Sequence, residues 1–410
     1  LTARSALGAA AVAALLACAA PAGASERGFP LRGVGRPGFL LDAVTLPAGS
    51  DSVDVEVAWQ VPLRELAFRP EDDLFRARYE IAVIFSRDGR QAVGELWERR
   101  VRARSIEETR DPARHSHGRR TMRLPVGRYE MRVTVTDRVA GAVSEAGAPL
   151  EARAESSGLG LSDLRLVRYT GDGVDRNPAH DVPLGQTGHA VRATIRSEAG
   201  AEGKVELRWR ILDPGGRRVV DADSTVALGG SESSVVDLPI PSERLSPGTH
   251  EVEVRLGRAR DADRRTLTLH ARVSEAWFAA NRTAAVEILG LLASRSEADA
   301  LRDAPEAEWS AALATFWERC GVASGIPVDA FRREIQDRVE SACTLFVEPF
   351  RYPGWKTDRG RIWIRWGRPT RRTESAGDLD RPATEVWEYE SPRRVFVFVD
   401  RGSGEYWLSG

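Results

Sequence analysis

Apolar and polar residues alternate with a period of two through the first two thirds of this chain, and that alternation leaves few folds open. Val53, Val55 and Val57 alternate with Asp54 and Glu56. Tyr79, Ile81, Val83 and Phe85 repeat the pattern and run towards Asp88-Gly89, a dipeptide suited to a tight hairpin. Met131, Val133 and Val135 follow Gly127 in the same way. Short half-buried strands of this kind pair into antiparallel sheets, and the expected unit is an immunoglobulin-like β-sandwich. The pattern then returns. Leu207, Trp209 and Ile211 lead into Pro214-Gly215-Gly216-Arg217, as the earlier strand leads into Asp88-Gly89-Arg90. Pro247-Gly248-Thr249-His250-Glu251-Val252 loosely repeats Pro125-Val126-Gly127-Arg128-Tyr129-Glu130-Met131. Both landmarks recur after roughly 120 residues, so tandem β-sandwich domains are expected over residues 51–150 and 160–273. The small polar run Glu155-Ser156-Ser157-Gly158 marks their boundary, and the Gly- and Pro-rich residues 25–50 read as an extended linker.

After Val273 the period becomes that of helices. Residues 274–304 read as a helical connector in which Ser274 caps a helix carrying Trp277, Phe278, Val286, Ile288, Leu289 and Leu292. Asp303 before Pro305 starts a second helix with Trp309, Leu313, Phe316 and Trp317 on one stripe. A third follows Asp329, with Phe331, Ile335, Val339, Ala342 and Phe346. Such stripes are core, and need no cofactor to explain them. Residues 305–410 make an α+β domain, its antiparallel meander formed by strands at 361–366, 384–389, 395–399 and 405–408, with Gly402-Ser403-Gly404 as the last turn. In the first of these, Ile362, Ile364 and Trp366 share one face, and Trp363 lies opposite. One face of the meander covers the helices, and the other is left to meet another domain or a partner.

Composition bounds the function. The 410 residues carry 59 Lys+Arg against 60 Asp+Glu, a net charge of −1, which argues against a dedicated nucleic-acid binder. Only Lys204 and Lys356 are lysines; every other cation of that count is arginine. Residues 1–24 read as a secretory signal, with Arg4 ahead of an apolar run over residues 6–20. Two exits are open. Ala22-Gly23-Ala24 before Ser25 suits ordinary signal peptidase, while Leu15-Leu16-Ala17-Cys18 resembles a lipobox that would leave Cys18 lipidated. Either places the protein outside the cytoplasm, in the periplasm or associated with the outer membrane. No later stretch approaches the length of a membrane span. Cys320 and Cys343 fall on different expected helices. Export permits a disulfide between them, but the helical geometry disfavours it, and two cysteines do not make a zinc site.

Five of the 11 tryptophans, Trp355, Trp363, Trp366, Trp387 and Trp407, crowd the C-terminal stretch. Here stands Gly354-Trp355-Lys356-Thr357-Asp358, continuing Arg359-Gly360-Arg361-Ile362-Trp363-Ile364-Arg365-Trp366-Gly367-Arg368-Pro369. Glu385-Val386-Trp387-Glu388-Tyr389, Phe396-Val397-Phe398-Val399-Asp400 and Tyr406-Trp407-Leu408 follow, and Phe316-Trp317 precedes. Over residues 305–409 this pattern resembles the bacterial GWxTD domain proteins. The resemblance implies an export signal, β-rich domains ahead of the module, and no assigned reaction. One departure is that Glu318-Arg319-Cys320-Gly321 stands where relatives often carry an Asp-Pro-Thr-like segment. Physically the motif reads as a corner. Pro353-Gly354 breaks the helix, Trp355 anchors the turn, Thr357 and Asp358 bond nearby backbone amides, and Gly360 takes positive φ before a strand.

Recognisable chemistry is sparse. The sequence has no HExxH, no Walker A loop, no GxGxxG that opens a helix and no Gly-x-Ser-x-Gly elbow. His115 and His117, in an arginine-rich loop over residues 114–120, are the closest histidine pair and read as solvated. Asp172, Asp175 and Asn177 lack EF-hand spacing and read as a turn. Neither catalytic residue, metal nor cofactor is therefore assigned. The binding candidates are Trp355, Thr357, Asp358, Arg359, Arg361 and Arg365, an arginine cluster beside tryptophans that suits a carboxylate, phosphate or glycan. The leading expectation is a non-enzymatic envelope scaffold that presents the C-terminal domain to an envelope protein or surface polymer. The alternative is an enzyme on a cell-wall or surface polymer, with Asp358 as acid or base and Glu385 or Asp400 opposite.

Overall fold

The computed structural model describes residues 28–48, 51–153, 159–171, 173–197, 201–230, 233–257, 263–349, 351–377, 381–402 and 404–409. The signal segment with Cys18, the boundary run 155–158, Asp172 and Ser403 lie outside the described residues. The chain is mostly β, with several antiparallel sheets and a C-terminal region that is helical and then β. It divides into two compact units, Leu1–Ala43 with Val57–Ala152, and Val44–Glu56 with Arg153–Gly410. No helix among the described residues is long and apolar enough to cross a membrane.

In the first unit the alternating runs become long strands. Leu74–Arg87 pairs with Arg90–Ala103 across Asp88 and Gly89, both at positive φ, so Asp-Gly makes the hairpin it suggested. Leu74–Arg87 pairs on its other side with Gly127–Asp137, burying Tyr79, Ile81, Val83, Phe85, Met131, Val133 and Val135. Trp59 closes this core, donating to the Tyr79 hydroxyl at 3.1 Å and stacking on Trp97 with ring centroids 5.7 Å apart. Two expectations fail here. Residues 25–50 are not merely an extended linker, since they contribute the strands Leu31–Arg32, Val34–Gly35 and Leu40–Pro47. His115 and His117 lie in a strand, His115–Pro125, rather than a loop. In His115–Pro125 the buried Met122 and Leu124 alternate with exposed residues, a face that the arginines before them mask in the sequence, and in Leu40–Pro47 Leu41, Ala43 and Val44 are buried.

The second unit has two sheets followed by the helices and a third sheet. Arg264–Arg272, Gly248–Leu256, Glu202–Leu212 and Arg218–Gly229 run antiparallel, and the short Asp181–Pro183 joins their edge in parallel. One continuous apolar core runs from Leu161 through Val252 and Trp317 to Phe398. The helical stretch is therefore not a connector between freestanding parts, because its apolar stripes finish the core of the sheets before it. The helix starting at Ser274 is shorter than expected. Glu275–Ala280 is capped by Ser274, and Asn281 separates it from Arg282–Leu289. Arg295–Asp303, Trp309–Ser324 and Val328–Leu345 follow. Cys320 and Cys343 are free thiols, and burial pushes Cys343 up to about 12.

Val328–Leu345 is joined to the preceding sheet by a cluster of polar contacts at Glu340 and Asp337. Glu340 accepts from the Val273 amide at 2.6 Å and pairs with Arg272 at 2.6 Å, and Arg272 also reaches Asp337 at 2.7 Å. Burial pushes the Glu340 carboxyl up to about 8, against the opposing pull of Arg272. A carboxyl that holds its proton more tightly when folded adds stability below the ordinary carboxyl range, and that stability is lost as pH rises through about 8. Thermal unfolding should therefore show a midpoint that falls as pH rises from the ordinary carboxyl value of 4.5 to about 8, and Glu340→Gln should flatten that slope. An unchanged slope in the variant would refute the assignment.

Candidate functional site

The C-terminal signature is a corner between the Val328–Leu345 helix and a four-stranded antiparallel sheet. That sheet comprises Arg371–Ser375, Thr384–Glu390, Arg393–Asp400 and Tyr406–Ser409 in sequence order. Its later three strands fall where expected. The first does not, because residues 361–366 belong to a helix, Asp358–Trp366. Thr357 caps that helix, its hydroxyl accepting from the Gly360 amide at 2.9 Å and donating to Gly354 O at 2.8 Å. Ile364 is buried, whereas Ile362, Trp363 and Trp366 are half-buried, so the side chains follow helical geometry instead of strand alternation. Gly360 is helical and does not take positive φ. It is glycine because a Cβ there would collide with Gly354 O. Gly354 has the same reason, since a Cβ would collide with Ala342 O and stand 2.9 Å from the Cys343 Cα. The two glycines let the turn lie directly on the end of the long helix.

Each candidate residue has a defined place. Trp355 is buried in the short 3-10 turn Gly354–Lys356, with the Lys356 ammonium 5.0 Å from its ring centroid. Asp358 does not bond its neighbours' amides. It accepts from Arg351 at 2.8 Å and from the distant Leu408 amide at 2.8 Å, pinning the last strand to the helix start. Burial raises its pKa, but Arg351, the Leu408 amide and Arg361 outweigh burial and leave the carboxyl below its ordinary value. Arg359 is buried between two carboxylates. It reaches Glu348 at 3.0 Å and Glu385 at 3.2 Å, with its guanidinium over the Tyr406 ring at 4.0 Å. Glu385 also binds Arg372 and the Trp387 indole, and burial pushes Glu348 upward despite Arg359. Arg361 and Arg365 are exposed on the helix surface. The arrangement therefore separates the six: Trp355, Thr357, Asp358 and Arg359 hold the corner, while Arg361 and Arg365 face solvent.

Glu348, Arg351, Arg372 and Tyr406 complete this network, and sequence reasoning had not singled them out. Glu385 and Asp400 do not face Asp358 as partners of an acid–base pair. Glu385 is committed to Arg359 and Arg372, and Asp400 accepts from the Gly402 amide at 2.9 Å in a turn. One signal was available. Glu385 alternates with Trp387 and Tyr389 on the buried face of its strand, and a carboxylate on an apolar face demands a buried cation. Elsewhere, the His115 and His117 rings lie 5.9 Å apart, and among the described residues no group of three potential ligands could hold a metal. Asp175 belongs to a hairpin strand, Gly173–Arg176, and Asn177 donates to Asp181 O at 2.6 Å.

Substitutions should separate the roles. Thr357→Val should cost about 1–2 kcal/mol in urea unfolding through loss of the cap. Arg359→Ala should cost about 3–5 kcal/mol, because Glu348 and Glu385 stay buried without their cation. Arg361→Ala should change stability by less than about 0.5 kcal/mol. Equal costs at Arg359 and Arg361 would sink this division.

Residues 263–403 match the family model described as the GWxTD domain. A search of curated proteins found no match. Among solved structures, a β-glucosidase from Listeria innocua is 19% identical, over 31% of this chain and 18% of its own, with a TM-score of 0.20. A red sea bream transglutaminase is 13% identical over 61% of this chain and 32% of its own, with a TM-score of 0.18. A glycosyl hydrolase family 2 member from Bacteroides cellulosilyticus DSM 14838 is 12% identical over 53% and 28%, with a TM-score of 0.23. The chain spans less than a third of each of these proteins, and likeness this slight carries no argument about activity.

Proposed function

Since this chain carries a GWxTD domain over residues 263–403, we propose that it is an exported envelope protein that presents that domain to a partner without catalysing a reaction. The observation that carries this reading is the use of the signature's polar groups. Thr357, Asp358 and Arg359 are bound to Gly354, Gly360, Arg351, Leu408, Glu348 and Glu385. A general acid must hold a proton near working pH, and a carboxyl lowered by Arg351 is poorly suited to that. The alternative of polymer cleavage through Asp358 is correspondingly disfavoured.

The outer face of the C-terminal sheet supports a presenting role. Val386 stands opposite Val397, and Val399 opposite Trp407, all half-buried, while Val395 is 58% exposed. Large uncovered apolar faces commonly meet partners. In this reading the paired sheets ahead of the domain are immunoglobulin-like sandwiches acting as arms, and the apolar run near residues 6–20 directs export to the periplasm or outer membrane. The partner is an envelope protein or a surface polymer.

Affinity capture from an envelope fraction with the full chain tests this. A specific partner should be retained, and Val395→Glu with Val397→Glu should abolish retention while leaving the unfolding midpoint within a few degrees. Retention unaffected by the charged pair, or no specific partner, would count against the reading.

A further inference from the structure

The solvent face of the Asp358–Trp366 helix carries arginines that make no hydrogen bond or ion pair within the corner. Arg361 and Arg365 stand one turn apart, and like charges at that spacing repel. Arg394, brought in by the Arg393–Asp400 strand, places its guanidinium 4.9 Å from the Trp366 ring centroid, where Arg365 already lies at 5.4 Å. Two cations thus share one ring. Arg368 adds a further exposed cation just past the helix end. Among the described residues no carboxylate forms an ion pair with Arg365, Arg368 or Arg394, and Arg361 acts on Asp358 only through its charge, although most arginines of this domain are paired. Arg371 holds Glu388, Arg372 holds Glu374 and Glu385, and Arg338 holds Glu334. The nearest acid in the helix, Asp358, is occupied by Arg351 and Leu408. The helix dipole favours a cation at Arg365, in the last turn, but accounts for neither Arg361 nor Arg394.

We propose that Arg365 and Arg394 at Trp366, with Arg361 one helical turn before Arg365, form a binding site for the acidic sugars of a polysaccharide. The guanidinium forks suit the paired oxygens of a carboxylate or phosphate, and an anion between Arg365 and Arg394 relieves their repulsion. Trp366 and Phe396 are half-buried, with centroids 6.4 Å apart and planes tilted by 36°, so an apolar sugar-ring face has an aromatic edge to lie against. A nucleic acid is less well served, because single-strand binders use open stacking faces along a basic groove, and here the cations cover the Trp366 ring. The site deepens the presenting role proposed above and rests on it, since it names the chemistry of a polymer the domain would meet.

Titration of the full chain with oligogalacturonate and, separately, with a phosphate-bearing polysaccharide such as a teichoic acid tests the site and tells carboxylate from phosphate. Either should perturb tryptophan fluorescence, and Trp366→Phe should remove that signal. Arg365→Ala with Arg394→Ala should weaken binding at least tenfold, whereas Arg371→Ala should not alter it. Circular dichroism should show both arginine variants folded. No binding of either polymer overturns the site, as does equal binding by the double variant. Equally tight binding of single-stranded DNA, abolished by the same double variant, also overturns it in favour of unselective charge attraction. If neither polymer binds while the envelope partner is still captured, the acidic-sugar site fails and the presenting role stands.

Discussion

Arg359 between Glu348 and Glu385 is the interaction on which the C-terminal domain depends. Each buried carboxylate costs several kcal/mol of lost hydration, and an adjacent guanidinium offsets that only when the geometry is close. The guanidinium is positioned by the start of the Asp358–Trp366 helix. That start is set by the Thr357 cap, and the cap can form only because Gly354 and Gly360 let the backbone approach closely. Glycine, threonine, aspartate and arginine in this order are thus links in one mechanical chain. Asp358 adds the last link by holding the Leu408 amide, so the final strand closes over the ion pair.

This explains why a motif dense in functional-looking side chains shows so little free chemistry. Charged groups buried beside aromatic rings define a single arrangement of helix and sheet, and the tryptophans around them are packing partners. Trp387 contacts Phe346, Trp363 and Phe398, each with ring centroids less than 6 Å apart. What remains for a partner lies outside this knot, on the arginine-bearing side of the helix and the valine-bearing side of the sheet.

Much of the β architecture was legible. Strands with strict alternation, such as Leu74–Arg87 and Glu202–Leu212, and the Asp88-Gly89 turn follow from side-chain period and turn chemistry. The Asp358–Trp366 helix was misread as a strand because Ile362-Trp363-Ile364-Arg365-Trp366 is too short and too apolar for its period to discriminate. The cap was visible in Thr357, but its weight depends on the close glycine contacts. The arginine cluster was half visible. Arg361 and Arg365 are near in sequence, while Arg394 joins them only through the pairing of Tyr389 with Arg394 at the sheet end.

The sequence by itself determined the strands and helices whose period is long and regular, the tandem β layout as an expectation, and the location of the signature. These are local properties, set by neighbours a few residues apart. Only the tertiary structure decided that residues 153–410 share one compact unit, that Arg359 is buried while Arg361 and Arg365 are free, and that Glu348 and Glu385 meet on one guanidinium. Burial and ion pairing depend on which distant segments are brought within a few ångströms, and no local pattern encodes that distance.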